Sequence, residues 1–197
     1  MDKAIISLEN VGLIKQDKQI LNDVSMQISL GDKINIYGGN GVGKTSLLKI
    51  ISGITSQYSG EIKIVDSISI SEDLFYIGHK YGLKNELTVK ENLEFIVKFN
   101  NNQNSLKYLN DELNYYEIHN AIDNKVKFLS HGQKKIISLI QLTLLSTKIW
   151  VLDEPFTGLD EKMHDKFFKR IEKHVSNNGI VISTSHNPKD NFINFKL

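Results

Sequence analysis

The sequence contains no cysteine, which excludes disulfides and thiolate metal sites and suits a reducing compartment. It also lacks a dominant charge: 24 Lys and Arg stand against 23 Asp and Glu over 197 residues. With neither a global basic field nor an acidic tail, composition argues against nucleic acid as the partner. No apolar run approaches the roughly 18 residues of a membrane-spanning helix. The opening stretch, Met1 to Glu9, has no basic region followed by an apolar core, so no signal peptide is expected. Any association with a membrane is therefore expected to run through a partner. There is no internal repeat, and a chain of this length is enough for one well-packed domain with room for a subdomain.

Against these absences stands one stretch: Gly38-Gly39-Asn40-Gly41-Val42-Gly43-Lys44-Thr45-Ser46. It fits G-x-x-x-x-G-K-[ST], in which glycines free of Cβ let successive backbone N–H groups turn inward around an anion. Lys44 can then reach the outer phosphates, and the Thr45 hydroxyl can ligate Mg²⁺. The context agrees. Lys33–Tyr37 reads as a strand, and Ser46-Leu47-Leu48-Lys49-Ile50-Ile51 reads as a helix whose N-terminus faces the phosphates. Strand, glycine loop and helix in this order predict a bound nucleoside triphosphate.

The rest of the chain alternates between strand and helix patterns. Ala4–Glu9 reads as a strand, and Val24, Met26 and Ile28 alternate with polar residues at the period of a half-buried strand. Glu61–Val65 alternates again, so several strands, some antiparallel, surround the loop. Leu74–Ile77 is a further strand ending at Gly78-His79. Thr88-Val89-Lys90-Glu91 is a capping box that opens a helix with Leu93, Ile96 and Val97 on one face. Ser105–Tyr116 reads as a second amphipathic helix, and Ser130 starts a long apolar one. From about Tyr81 to Leu145 the pattern is mostly helical, an insertion between strands of the nucleotide-binding core. Ile149–Leu152 is a buried strand, Asp160 to about Asn177 a helix, and Ile180–Ser183 the last core strand. The expected fold is α/β with a mostly parallel sheet, ligands lying at the carboxyl ends of its strands.

The strand Ile149–Leu152 delivers Asp153 and Glu154 to that end of the sheet. Asp153 would hold Mg²⁺ directly or through water. Glu154 could act as general base on the attacking water. Further on stand Leu129-Ser130-His131-Gly132-Gln133, Thr157-Gly158-Leu159-Asp160 and His186. Ser130 and Asp160 are also ordinary helix caps when taken singly.

Together and in this order, these elements resemble the ATP-binding cassette (ABC) ATPases over nearly the whole chain. The resemblance implies a P-loop NTPase of ABC type in one domain, 1–197. Its three-layer core would carry an N-terminal antiparallel β subdomain and a helical insertion of about 81–145. It also implies ATP with Mg²⁺ as ligands and ATP hydrolysis as activity. Two copies would pair head to tail on ATP, Ser130, His131, Gly132 and Gln133 of one closing over the loop of the other. Catalysis would rest on Glu154, Lys44 and His186, the last contacting the γ-phosphate and helping to hold Glu154 and water. Integral membrane subunits would be the partners, at the cytoplasmic face of the inner membrane.

Phe75-Tyr76-Ile77-Gly78-His79-Lys80-Tyr81-Gly82-Leu83-Lys84, with Leu87–Leu93, Phe156 and Gly179-Ile180-Val181, is more narrowly similar to the ATPases of haem-export complexes in cytochrome c maturation. His79 stands where most cassettes have a glutamine that meets Mg²⁺ or water and senses the membrane partner. Lys15, with Ile14 beside it, replaces the aromatic residue that commonly stacks on adenine, and His131 replaces a commoner glycine or alanine. Competing readings are a cassette for lipid, peptide or drug export, a soluble cassette acting on nucleic acid or ribosomes, and a nucleotide-gated binding module with negligible turnover.

Overall fold

A computed structural model describes residues 4–197. Met1, Asp2 and Lys3, part of the stretch read for a signal peptide, lie outside the described residues. The chain divides into two compact parts. The first runs to Tyr76 and adds Lys148–Glu154 and Lys173–Leu197; the second comprises Ile77–Thr147 and Pro155–Glu172.

Two sheets share the core of the first part. β1 (Ile6–Lys15), β2 (Lys18–Ile28) and β4 (Ser59–Ile64) form an antiparallel sheet in the order β2-β1-β4. β1 and β2 are longer than the alternation predicted, because Gln16 and Asp17 join them in a tight turn at φ 48° and 58°. Two consecutive left-handed residues match the twist of a hairpin, although neither is the usual Asn or Gly. The second sheet has the order β5-β6-β7-β3-β8, built from β3 (Lys33–Tyr37), β5 (Leu74–Ile77), β6 (Ile149–Leu152), β7 (Ile180–Ser185) and β8 (Ile193–Lys196). Its β6–β7, β7–β3 and β3–β8 pairs are parallel. Strands covered on both faces read as continuous apolar runs, and Ile149, Trp150, Val151 and Leu152 are all buried. Ile6, Val11, Ile28, Ile36, Leu47, Leu48, Val151 and Ile182 meet in one core cluster that joins both sheets to α1 (Lys44–Ile51).

Ile180–Ser183 is therefore not the last core strand, as its apolar run had suggested. β8 adds an edge beside β3. It is fastened by the buried Asn35, whose amide donates to Asn194 Oδ1 at 2.9 Å and to Asn187 O at 3.2 Å. A short helix, α2 (Ile70–Asp73), which the pattern did not predict, leads into β5.

The second part is mainly helical. α3 (Val89–Phe99) starts in the expected capping box, with both reciprocal bonds between Thr88 and Glu91 made. Its buried Asn92 ties the preceding loop to the helix: the amide donates to Lys84 O and Thr88 O, and Oδ1 accepts from Lys84 N–H at 2.8 Å. The expected helix at 105–116 divides into a 3₁₀ stretch, Gln103–Tyr108, and α4 (Leu109–Tyr115). α3 and α4 both pack on α5 (His131–Leu145), which is buried on most of its circumference. The Asn102 amide closes the far end of α5 by donating to Leu144 O and Leu145 O, two of the carbonyls a helix leaves without internal partners. α6 (Glu161–Ser176) carries Arg170, which pairs with Glu112 of α4 at 2.8 Å.

Candidate functional site

The loop between β3 and α1 has the backbone its glycines require. Gly43 sits at φ 105°, and a Cβ there would come within 2.6 Å of Leu21 Cδ2 and 2.8 Å of Ile20 O. An L side chain at this position would be strained and blocked at once. Gly41, at φ 77°, faces open space instead, with nothing within 4 Å of an added Cβ. α1 begins directly after Gly43 and has no acidic residue in its first turn. No carboxylate of the helix's own first turn therefore competes for its first N–H groups and the positive end of its dipole. Lys44 is buried, and its ammonium donates to Gly38 O at 2.7 Å and Gly39 O at 2.8 Å. The residues Gly38 to Ser46 thus combine what a phosphate chain would need: a glycine turn running into a helix N-terminus, and a buried cation.

β6 carries its acids to the same end of the sheet. Asp153, 2% exposed, accepts from Thr45 Oγ1 through Oδ2 at 2.7 Å. These are hard oxygen donors, the set that Mg²⁺ takes together with phosphate oxygens and water. Among the described residues no group of three or more His, Cys, Asp and Glu comes together, so a cation on Thr45 and Asp153 would complete its shell from nucleotide and solvent. The phenol of Tyr76 is pushed up to about 12, first by burial and then by the negative charge of Asp153. It stays neutral beside that carboxylate at any physiological pH.

Glu154 follows at φ 48°, a left-handed conformation that few residues with a Cβ adopt. Its Oε1 lies 3.3 Å from His186 Nε2. The structure thus brings together Lys44, Thr45, Asp153, Glu154 and His186, residues separated by up to 142 positions (186 less 44). It also reveals a member that sequence reasoning missed. The Thr184 hydroxyl donates to Asp153 Oδ1 at 2.7 Å and accepts from the Glu154 N–H at 2.9 Å.

The remaining predicted residues lie in the second part, except Lys15, which lies in the first. Ser130 caps α5, its Oγ accepting from Gln133 N–H at 3.2 Å while Gln133 Oε1 accepts from Ser130 N–H at 2.9 Å. Ser130 and His131 are exposed. His131 Nε2 is 2.9 Å from Tyr81 OH. Asp160 caps α6 by accepting from Met163 N–H at 2.8 Å. His79 stands in the turn after β5, near Gly78, whose carbonyl accepts from Tyr81 N–H. Lys15 ends β1 opposite Lys18.

Residues 21–157 match the family described as ABC transporter. Among curated proteins, the cytochrome c biogenesis ATP-binding export protein CcmA of Histophilus somni is 37% identical over 92% of this chain and 86% of its own length. The proteins of the same name from Colwellia psychrerythraea and Haemophilus influenzae are 34% and 35% identical, again over 92% of this chain. Among solved structures, an ABC transporter ATP-binding protein from Pyrococcus furiosus superposes with a TM-score of 0.80 at 27% identity, covering 98% of this chain and 96% of that one. The ATP-binding subunit of another ABC transporter gives 0.81 at 22% identity over 92% and 79%, a likeness of fold.

Proposed function

The chain belongs to the ABC transporter family as an ATP-binding, ATP-hydrolysing subunit, and from that membership we propose that it drives haem export, or release of a haem carrier, in cytochrome c maturation. Family membership implies membrane subunits as partners and a peripheral position on their complex, and no described helix is long and apolar enough to cross a membrane itself. The cytoplasmic face of the inner membrane is the side we assign to it. The observation that carries the narrower reading is the similarity, along 92% of the chain, to several export proteins named for cytochrome c biogenesis. The whole of 1–197 would work as one cassette, with about 81–145 as its helical insertion.

In this reading, Gly38–Ser46 wraps the triphosphate and Lys44 neutralises its outer charge. Mg²⁺ would be held by Thr45 and Asp153 and would supply positive charge to offset that of the phosphates. Glu154 accepts the proton of the attacking water, and His186 keeps the carboxylate in place. The proximity of His186 to Glu154 supports that division of labour. His79 lies in the turn that would report to the membrane subunit, and it enters no chemical step. Deleting the gene in the parent organism should abolish covalent haem attachment to c-type cytochromes, read on a haem-stained gel. Restoration should need the intact chain. Normal holocytochrome c in the deletion strain would overturn the haem assignment while leaving the ATPase assignment standing.

The second half of each nucleotide site would come from another copy. Ser130 to Gln133 are suited to this because Ser130 and His131 are exposed at the N-terminus of a 15-residue helix, where free N–H groups and the dipole favour a γ-phosphate. Ser130→Arg should leave ATP binding by the single chain unchanged and remove the ATP-induced dimer, measured by light scattering after size exclusion. Loss of the cap costs about 1 kcal/mol, so the variant should remain folded. A dimer that persists would remove the paired-site scheme.

A further inference from the structure

We propose that Thr184 is a positioning residue for ATP hydrolysis, its hydroxyl setting the geometry of Asp153 and Glu154 together. The proposal rests on the reading of Glu154 as general base. β7 lies parallel to β6 with Leu152 opposite Ser183, so the next residue on β7, Thr184, falls beside Asp153. Thr184 is fully buried. Its hydroxyl has one proton to give and lone pairs to accept with, and both partners are of fixed polarity. The Asp153 carboxylate can only accept, at 2.7 Å, and the Glu154 N–H can only donate, at 2.9 Å. One oxygen therefore joins the side chain of the cation-holding residue to the backbone of the base.

This bridge has two consequences. Asp153 is gripped from both sides, Oδ1 by Thr184 and Oδ2 by Thr45, so its plane is set by β7 as well as by α1. Glu154, in turn, holds φ 48°, a conformation that persists only where the surroundings impose it. The Thr184 hydroxyl engages its amide, while His186, two residues further along the same segment, lies 3.3 Å from its carboxylate. A single segment, 184–186, thus holds the base at its backbone and at its tip. The neighbouring hydroxyls are engaged elsewhere: Ser183 donates to Ile34 O and Ser185 to Asn187 O.

The test compares Thr184→Val, which keeps the shape and removes the hydroxyl, with Thr184→Ser, which keeps the hydroxyl, in the full chain. Glu154→Gln serves as the reference for the base. Steady-state ATP hydrolysis and affinity for a fluorescent ATP analogue are measured on each. Losing a hydrogen bond to a charged group that matters in the transition state predicts a kcat about tenfold or more lower in Thr184→Val, with affinity within about threefold of the parent. Thr184→Ser should recover kcat to within about threefold. Should the valine variant fail to fold, Thr184→Ala, which also lacks the hydroxyl, is read in the same way. Parental kcat in the hydroxyl-free variant, a serine variant as slow as it, or parallel loss of kcat, affinity and thermal midpoint would each overturn the proposal. If Glu154→Gln is inactive while Thr184→Val is not, only the role of Thr184 fails. If Glu154→Gln hydrolyses normally, the assignment of the base fails instead.

Discussion

Lys44→Ala is expected to remove measurable ATP binding and, with it, hydrolysis. The reason lies in where the ammonium sits. Lys44 is 6% exposed, and its charge is directed into the curve of the loop by two carbonyls, Gly38 O and Gly39 O. A buried cation held by neutral acceptors retains most of its charge for an anion that enters the curve. A hydrogen bond to a charged group contributes about 1.5–3 kcal/mol, roughly 10- to 150-fold in affinity. An ammonium reaching more than one phosphate oxygen loses more than one such bond, so a fall of about two orders of magnitude or more follows. The fold should survive, since Ala is the strongest helix former and Lys44 opens α1 rather than filling the core. Calorimetric titration with ATP, alongside far-UV circular dichroism to verify the helix content, makes the measurement. Parental affinity in a folded Lys44→Ala would remove Gly38–Ser46 as the phosphate site.

Legibility in the sequence followed the range of the physics involved. The turn at Gly38–Ser46 could be read because its demands are local: glycines where the backbone turns, a strand before and a helix after. The placement of Asp153 and Glu154 was visible because four apolar residues in a row announce a buried strand, which carries the two acids to the end of the sheet where α1 begins. Thr88 was visible as a cap because a capping box is written within four residues, and Ser130 because a serine opens the long apolar helix; the reciprocal bond from Gln133 appeared only in the structure. Thr184 was not visible. Ser183-Thr184-Ser185 presents three hydroxyls in a row, and only the register of β7 against β6 decides which one meets Asp153. β8 escaped for a similar reason. Its residues are largely exposed, so no apolar period marks it, and its anchor is the Asn35–Asn194 pair, 159 residues apart. The helix expected at 105–116 starts as a 3₁₀ stretch because the Ser105 hydroxyl bonds to Asn102 O, a local side-chain to backbone bond that competes with the α pattern.

Glu154→Gln is expected to cut turnover by a factor of about 10²–10⁴, the contribution of a positioned general base, while leaving ATP bound. The substitution is isosteric, so it leaves φ 48° at this position no more strained than before, and the Thr184 bond to the residue 154 N–H is untouched. What disappears is the proton acceptor. The amide can still lie near His186, as Glu154 Oε1 does at 3.3 Å, so side-chain geometry is preserved while basicity is lost. Binding and chemistry should therefore separate: affinity at the parental level, kcat nearly gone. If two chains close on ATP, blocking hydrolysis holds them closed, and the variant should elute as a dimer in ATP and as a monomer after nucleotide is removed. Lys44→Ala, by contrast, should show neither nucleotide nor dimer, because its defect precedes closure. Hydrolysis at the parental rate in Glu154→Gln would show that another group takes the proton. A monomer that retains ATP without turning it over would keep Glu154 as the base and remove only the coupling of ATP to pairing.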